Sequence, residues 1–332
     1  MKMNLNFRVF LALTCVGLSA LFAEEPTVKE LRQRAKELRL KARDLNIEAA
    51  DLEGRANIIS KQPQIAEAVG KVQAVKSKQP RKILIYSRTT GFRHRSIPMG
   101  VALLAALGKG TAAYASEQTE DPSVFTAEKL GEFDAILMLN TTGKPVPQGG
   151  SEQAAFESFM AQGGGLIGIH AATDCHANWI AYREAMGGVF AGHPWRAGDL
   201  VTLFNEDVEH PVCSCVPQGF KIKDEIYQYR EDKYYSRGRL RILLSLDLSG
   251  KRMKKGGMKR KDFDYPVSWV RQHGKSRVFY SNLGHNDSTY FNPIALQHFL
   301  NGIQYVLGDL EADATPSAKI GKGKPKAPPE GF

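Results

Sequence analysis

The run Ala135-Ile136-Leu137-Met138-Leu139 offers no polar position to either face of a strand. Such a strand must be covered on both sides, which a sheet with one wet face does not do. Similar runs recur from Arg81 onward. Strands are predicted at Lys82–Ser87, Thr111–Ser116, Asp134–Asn140 and Leu166–Ala171, with helices at Ile97–Leu107, Ala127–Phe133 and Glu152–Gln162 between them. This alternation specifies an α/β fold, a parallel sheet flanked by helices. Ligands of such sheets gather beyond the carboxyl ends of the strands, which directs attention to the loops Arg88–Ser96, Thr141–Gln148 and Ala171–Asn178.

With 332 residues, 42% of them hydrophobic, the chain can build one large or two modest cores. The net charge of +10 is spread along the chain. Its one dense cluster, Lys251-Arg252-Met253-Lys254-Lys255 with Lys259-Arg260-Lys261, is interrupted by glycine and has no interleaved aromatics on which bases stack. No nucleic-acid partner is expected. At the N-terminus, Lys2 and Arg8 precede an apolar run from Val9 to Phe22, with Ala20 and Ala23 as candidate cleavage positions. Residues 1–23 therefore read as a signal peptide, predicting a periplasmic or secreted protein with no stable membrane insertion after its removal. Cys175, Cys213 and Cys215 then remain; their odd number and spacing leave the fold to its core rather than to disulfides.

Between the leader and the core, residues 24–79 are predicted to be helical. Val28, Leu31, Ala35, Leu38, Ala42, Leu45, Ala49, Leu52, Ala56 and Ile59 step by three and four, the seam of a coiled coil. Pro63 then stops the helix. In a parallel homodimer Arg34 would face Arg39 and Glu48 would face Glu53, so the flanking charges favour an antiparallel homodimer through residues 28–59. The alternatives are a helix folded back on its own domain and pairing with a foreign helix. At the other end, residues 309–332 mix Ala, Pro, Lys and Gly without apolar periodicity and read as a disordered tail.

Gly163-Gly164-Gly165 leads into a short apolar strand, and His170 stands where it stops, followed by the small residues Ala171 and Ala172. The arrangement resembles the nucleophile elbow of open α/β sheets, which exposes one reactive side chain above the strand ends. In class I glutamine amidotransferases that residue is a cysteine. An imidazole cannot form the thioester, so glutaminase activity is not expected. Further along stand Thr89-Thr90-Gly91-Phe92-Arg93-His94, Asn140-Thr141-Thr142-Gly143, Gly192-His193-Pro194-Trp195, Asp224-Glu225-Ile226-Tyr227, Pro266-Val267-Ser268-Trp269 and Leu283-Gly284-His285. In this order they resemble the trehalose-utilisation (ThuA-like) family over about residues 81–308. The resemblance implies a flavodoxin-like, class I glutamine-amidotransferase-like domain, taken here as 80–308. It also implies a role in catabolism of trehalose and related disaccharides through 3-keto-sugar intermediates.

The residues expected to carry chemistry are His170 as central acid/base, with Asp174, Glu225 and His285. Asp174 either orients His170 or caps the helix that carries Trp179 and Tyr182. Arg93, His94, Asn140, His193 and Trp195 are expected to hold the substrate, Trp195 by stacking on a sugar ring; core packing for Trp195 and surface charge for Arg93 are the alternatives. His176, His210, His273 and His298 read as core or surface residues. No H-E-x-x-H spacing is present, so a divalent metal at the histidines stays open and its ligands unassigned. No Walker loop or G-x-G-x-x-G follows a strand, which argues against a nucleotide cofactor. The functional expectation is an exported protein that cleaves or modifies an oxidised disaccharide by acid/base chemistry. The alternative is a non-catalytic glycan-binding module displayed on a coiled-coil arm.

Overall fold

A computed structural model describes residues 26–332, so the signal-peptide reading lies outside the described residues. Among these residues nine strands form one sheet: β1 (Lys82–Tyr86), β2 (Ala115–Thr119), β3 (Ala135–Leu139), β4 (Gly165–Ile169), β5 (Leu200–Asn205), β6 (Lys221–Lys223), β7 (Arg241–Leu246), β8 (Pro266–His273) and β9 (Ser276–Ser281). Their order is β2-β1-β3-β4-β9-β8-β7-β5-β6. The five strands from β2 to β9 run parallel, and β8, β7, β5 and β6 extend the sheet by antiparallel pairing. The parallel half is thus the flavodoxin-type layer expected from the sequence, and the antiparallel half is an addition that the early strand–helix alternation does not announce.

Strand alternation divides the core in two. Ile83, Ile85, Leu137 and Ile167 face one layer, where they meet Leu103 and Phe299 of the helices Ile97–Thr111 and Pro293–Leu307. Leu84, Tyr86, Ile136 and Met138 face the other, with Phe125 and with Phe156 and Tyr182 of the helices Ser151–Gln162 and Ile180–Met186. Each such side chain taken fully from water contributes about 1.5–3 kcal/mol, which is why the apolar runs fall where they do.

The second strand is displaced from its predicted span. The helix before it continues to Thr111, Ala112 closes it in a left-handed turn with φ 54°, and Ala113 and Tyr114 pack in that turn. The strand itself is the polar edge segment Ala-Ser-Glu-Gln-Thr.

The N-terminal helix is present as Val28–Ser60, and no described helix is long and apolar enough to cross a membrane. The chain divides between Ala49 and Ala50 into two compact units. The reason is the next helix, Gln62–Gly70, with Pro63 in its first turn, whose Ile65, Ala68 and Val69 are buried in the main core. Leu31, Leu38, Leu45, Leu52 and Ile59 of the heptad seam are exposed.

The C-terminal segment is also not a free tail. Ser317 is fully buried and its hydroxyl accepts from the Ile242 amide at 2.9 Å, while Asp313 pairs with Arg241 at 3.2 Å. Low apolar content hid this segment because anchoring to β7 through polar groups leaves no hydrophobic period.

Candidate functional site

Three loops that leave the carboxyl ends of parallel strands bring histidines together: His94 after β1, His170 at the end of β4 and His285 after β9. A fourth segment, after β6, adds Glu225. His170 has φ 50°, a left-handed conformation rare for a non-glycine residue, so the strand-end elbow is a strained turn. The backbone carbonyl of His170 accepts from the Tyr280 hydroxyl at 2.6 Å, which helps hold that turn.

The His170 ring is fully buried and lies against Tyr227, with centroids 4.5 Å apart. Its Nδ1 is 2.7 Å from the carbonyl oxygen of Asn282. A carbonyl only accepts, so a proton is assigned to Nδ1, and in the neutral ring Nε2 presents a lone pair. Nε2 stands 3.3 Å from Nδ1 of His285 and 3.6 Å from Oε1 of Glu225. The same carboxylate oxygen is 3.3 Å from His285 Nδ1, and Oε2 is 3.3 Å from Nδ1 of the half-exposed His193. His94 closes the group from the β1 side, its ring edge-on to those of His170 and His285 at 4.8 and 5.1 Å. His94 is 4% exposed and its Nδ1 has no hydrogen-bond partner.

Burial alone would raise the Glu225 carboxyl, but hydrogen bonding to His170 and His285 outweighs it and holds the group well below the usual carboxylate range. Burial of His285 lowers its affinity for a proton, and Glu225 more than restores it, leaving the imidazole above its ordinary value. His94 is pushed down to about 2, first by burial and then by the neighbouring histidines. A neutral imidazole at His94 and an anionic carboxylate at Glu225 follow, both with lone pairs free to bind a cation.

Of the residues expected at the site, His94, His170, Glu225, His285 and His193 converge. The others do not take their expected roles. Trp195 is fully buried, with its indole N–H donated to the Met253 carbonyl at 3.0 Å and its ring against Tyr265, so it offers no face to a sugar. Arg93 is committed to Glu120 at 2.9 Å and Asp51 at 2.8 Å. Asn140 is fully buried, at φ 51°, and its amide donates to Ser96 and to the Gly284 carbonyl at 3.1 and 3.2 Å, clasping the β1 and β9 loops together from beneath. Asp174 neither caps the following helix, whose N-cap is Trp179, nor orients His170, whose Nδ1 is taken by Asn282. Burial raises the Asp174 carboxyl to about 6 at the margin of the cluster.

Sequence reasoning missed Asn282 and the role of Asp224. Asn282 is fully buried; besides binding His170, its Oδ1 accepts from the Tyr227 amide at 3.2 Å. Asp224 is also fully buried and accepts from Gly284 N at 2.7 Å, Thr289 Oγ1 at 2.8 Å, Glu225 N at 3.0 Å and Asn286 N at 3.1 Å. Those contacts pin the loop on both sides of His285. Gly284 itself has φ 126°, and a Cβ there would fall 2.8 Å from the Tyr290 hydroxyl. Two aromatic rings do flank the cluster in place of Trp195: Phe92, 66% exposed, edge-on to His94 at 4.9 Å, and Phe190, stacked with His193 at 6.0 Å.

Comparison with solved structures finds the same fold in two ThuA-like proteins. One, from Bacteroides uniformis ATCC 8492, is 28% identical with a TM-score of 0.55, over 70% of this chain and 94% of that one. The other, from Parabacteroides merdae ATCC 43184, is 16% identical with a TM-score of 0.54, over 71% and 93%, and speaks to the fold alone. A search of curated proteins finds no match. The family model described as trehalose utilisation matches residues 82–306, which takes in all nine strands and the whole histidine cluster, so the chain belongs to the ThuA family and has a carbohydrate-related role.

Proposed function

We propose that this protein is an exported enzyme that cleaves or modifies an oxidised disaccharide of the 3-keto type by acid/base chemistry. The observation that carries the reading is the grouping of His170, His285 and Glu225 within 3.3–3.6 Å at the strand ends, between two aromatic rings. A ketone at C3 acidifies the C–H at C2. A base in the cluster removes that proton, the C1–O bond breaks as the C1–C2 double bond forms, and an acid protonates the departing oxygen. Water adding across the double bond then completes a net hydrolysis. Assistance of this kind contributes roughly 10²–10⁴-fold. His285, at the open side of the cluster, and its partner Glu225 are the residues assigned to proton transfer; His170 supports them, and Phe92 and Phe190 are assigned to stack on sugar rings.

The test is time-resolved proton NMR of the mature chain with 3-ketotrehalose. Loss of the disaccharide signals, abolished in His285→Ala, supports the reading. Saturable line broadening without product would overturn it in favour of a glycan-binding module. The exposed leucine seam of the N-terminal helix supports a second element of the proposal, an antiparallel homodimer through residues 28–59.

A further inference from the structure

We propose that His94, His170, His285 and Glu225 form a binding site for a first-row divalent transition-metal ion, of the zinc or cobalt kind. The inference concerns the same crevice as the sugar reading but rests only on the donor geometry. His170 Nε2, His285 Nδ1 and Glu225 Oε1 form a nearly equilateral triangle with edges of 3.6, 3.3 and 3.3 Å. A point equidistant from its corners lies about 2.0 Å from each, within the roughly 2.0–2.2 Å at which zinc binds nitrogen and carboxylate oxygen. One donor atom of His94 joins them, all four lying within 4.8 Å of one another.

Three further observations point to a cation rather than to a hydrogen-bonded network alone. The first is a shortage of protons. His170 Nδ1 holds its hydrogen toward Asn282, so Nε2 and the Glu225 carboxylate confront each other as two acceptors. His285 Nδ1–H, equidistant from both, can donate well to only one. A cation at the centre, with the His285 proton on Nε2 instead, takes a lone pair from each of the three atoms at once. The second is His94, 4% exposed and edge-on to His170 and His285, whose Nδ1 has no hydrogen-bond partner, so no contact through that nitrogen ties the ring to the surrounding protein. The third is the outer layer. A metal-bound imidazole usually donates its other N–H to a carbonyl or carboxylate, and the His170–Asn282 contact at 2.7 Å has that form. Asp224 meanwhile fixes the backbone on both sides of His285.

The donor set of imidazoles with one carboxylate favours zinc, cobalt, nickel, manganese or iron over magnesium and calcium, which require mainly oxygen. The open side at His285 and His193, whose side chains are 22% and 47% exposed, leaves room for a further ligand such as a sugar carbonyl or water. A bound ion would polarise that carbonyl and stabilise the negative charge that develops on it, and proton transfer would then fall to atoms the ion does not hold, such as Glu225 Oε2 with His193 at 3.3 Å.

The experiment needs no sugar. Mature protein is stripped by dialysis against a chelator, reconstituted with Zn²⁺ or Co²⁺, desalted, and analysed for metal content and melting temperature. The expected result is about one tightly held ion per chain at a site with an open coordination position, with a rise in melting temperature. The cobalt spectrum should lack a thiolate charge-transfer band, since Cys175, Cys213 and Cys215 lie outside the cluster. His285→Ala and Glu225→Gln should each weaken binding at least tenfold, against the roughly 10–100-fold typical of losing even an outer partner. Wild-type protein that stays folded yet retains no ion and shows no thermal shift overturns the proposal without relying on any variant. Undiminished binding in both variants, or a thiolate band, overturns it as well. Stoichiometric metal with no turnover of 3-ketotrehalose would refute the sugar chemistry and leave the metal site standing.

Discussion

Asp224→Asn is the most informative single change, because it alters hydrogen-bonding capacity with almost no change in shape. Oδ1 accepts from the amides of Glu225 and Asn286, at 3.0 and 3.1 Å. Oδ2 accepts from the Gly284 amide at 2.7 Å and the Thr289 hydroxyl at 2.8 Å. An asparagine keeps one acceptor oxygen. Placing its NH₂ at the Oδ1 position sets it against two amide protons. The better choice is the Oδ2 position, where Thr289 can turn to accept and only Gly284 N–H is orphaned. An orphaned buried donor costs about 1–3 kcal/mol, and the remaining bonds lose their charge assistance. The sum is about 2–3 kcal/mol. At roughly 2–4 °C per kcal/mol for a domain of this size class, the melting temperature should fall by about 4–12 °C. Asp224→Ala orphans all the donors and should cost more, while Thr289→Val removes one donor and should cost less. Circular dichroism melts with urea titrations would rank the three. A melting temperature for Asp224→Asn within about 1 °C of wild type, equivalent to a few tenths of a kcal/mol, would refute the idea that this carboxylate pins the His285 loop. The His285 imidazole resonance should shift in the same variant, because Gly284 and Asn286 flank it.

Other consequences follow from buried polar groups and from the exposed seam. Arg237, 4% exposed, binds Glu206 at 2.8 Å and Asp264 at 2.9 Å, so Arg237→Ala leaves two buried carboxylates uncompensated and should lower stability by about 3–5 kcal/mol in urea unfolding. His298 is fully buried between the Val212 carbonyl and the Ser268 hydroxyl, and burial pushes it down to about 4. The unfolded chain therefore binds the proton first, and the stability contributed by neutral His298 is intact above about pH 6.5 and lost as pH falls toward 4, by up to about 3 kcal/mol. His298→Gln should flatten that part of the stability–pH curve, and parallel curves would contradict the assignment. Removing residues 24–60 should take the particle from two chains to one in light scattering if the helix pairs two chains; an unchanged number of chains per particle would refute the dimer.

Much of the fold was legible because its signals are local. The apolar run of β3 and the glycine turn before β4 are set by residues next to one another, and burial on both faces needs no knowledge of the partner strand. His170, His94 and His285 could be found because strand ends in parallel sheets are where side chains converge. What the sequence could not decide is which groups meet. His170 and His285 are 115 residues apart, and they touch only because β9 adds parallel to β4 after the antiparallel excursion through β5 to β8. The same long-range packing turned Trp195 inward against Tyr265, committed Arg93 to Glu120, and gave the orientation of His170 to the Asn282 carbonyl rather than to Asp174. Residue type and spacing determined the sheet and the ends of its strands; the side-chain geometry that can hold an ion or move a proton was decided by tertiary structure, because hydrogen bonds of a few ångströms depend on contacts that no local period records.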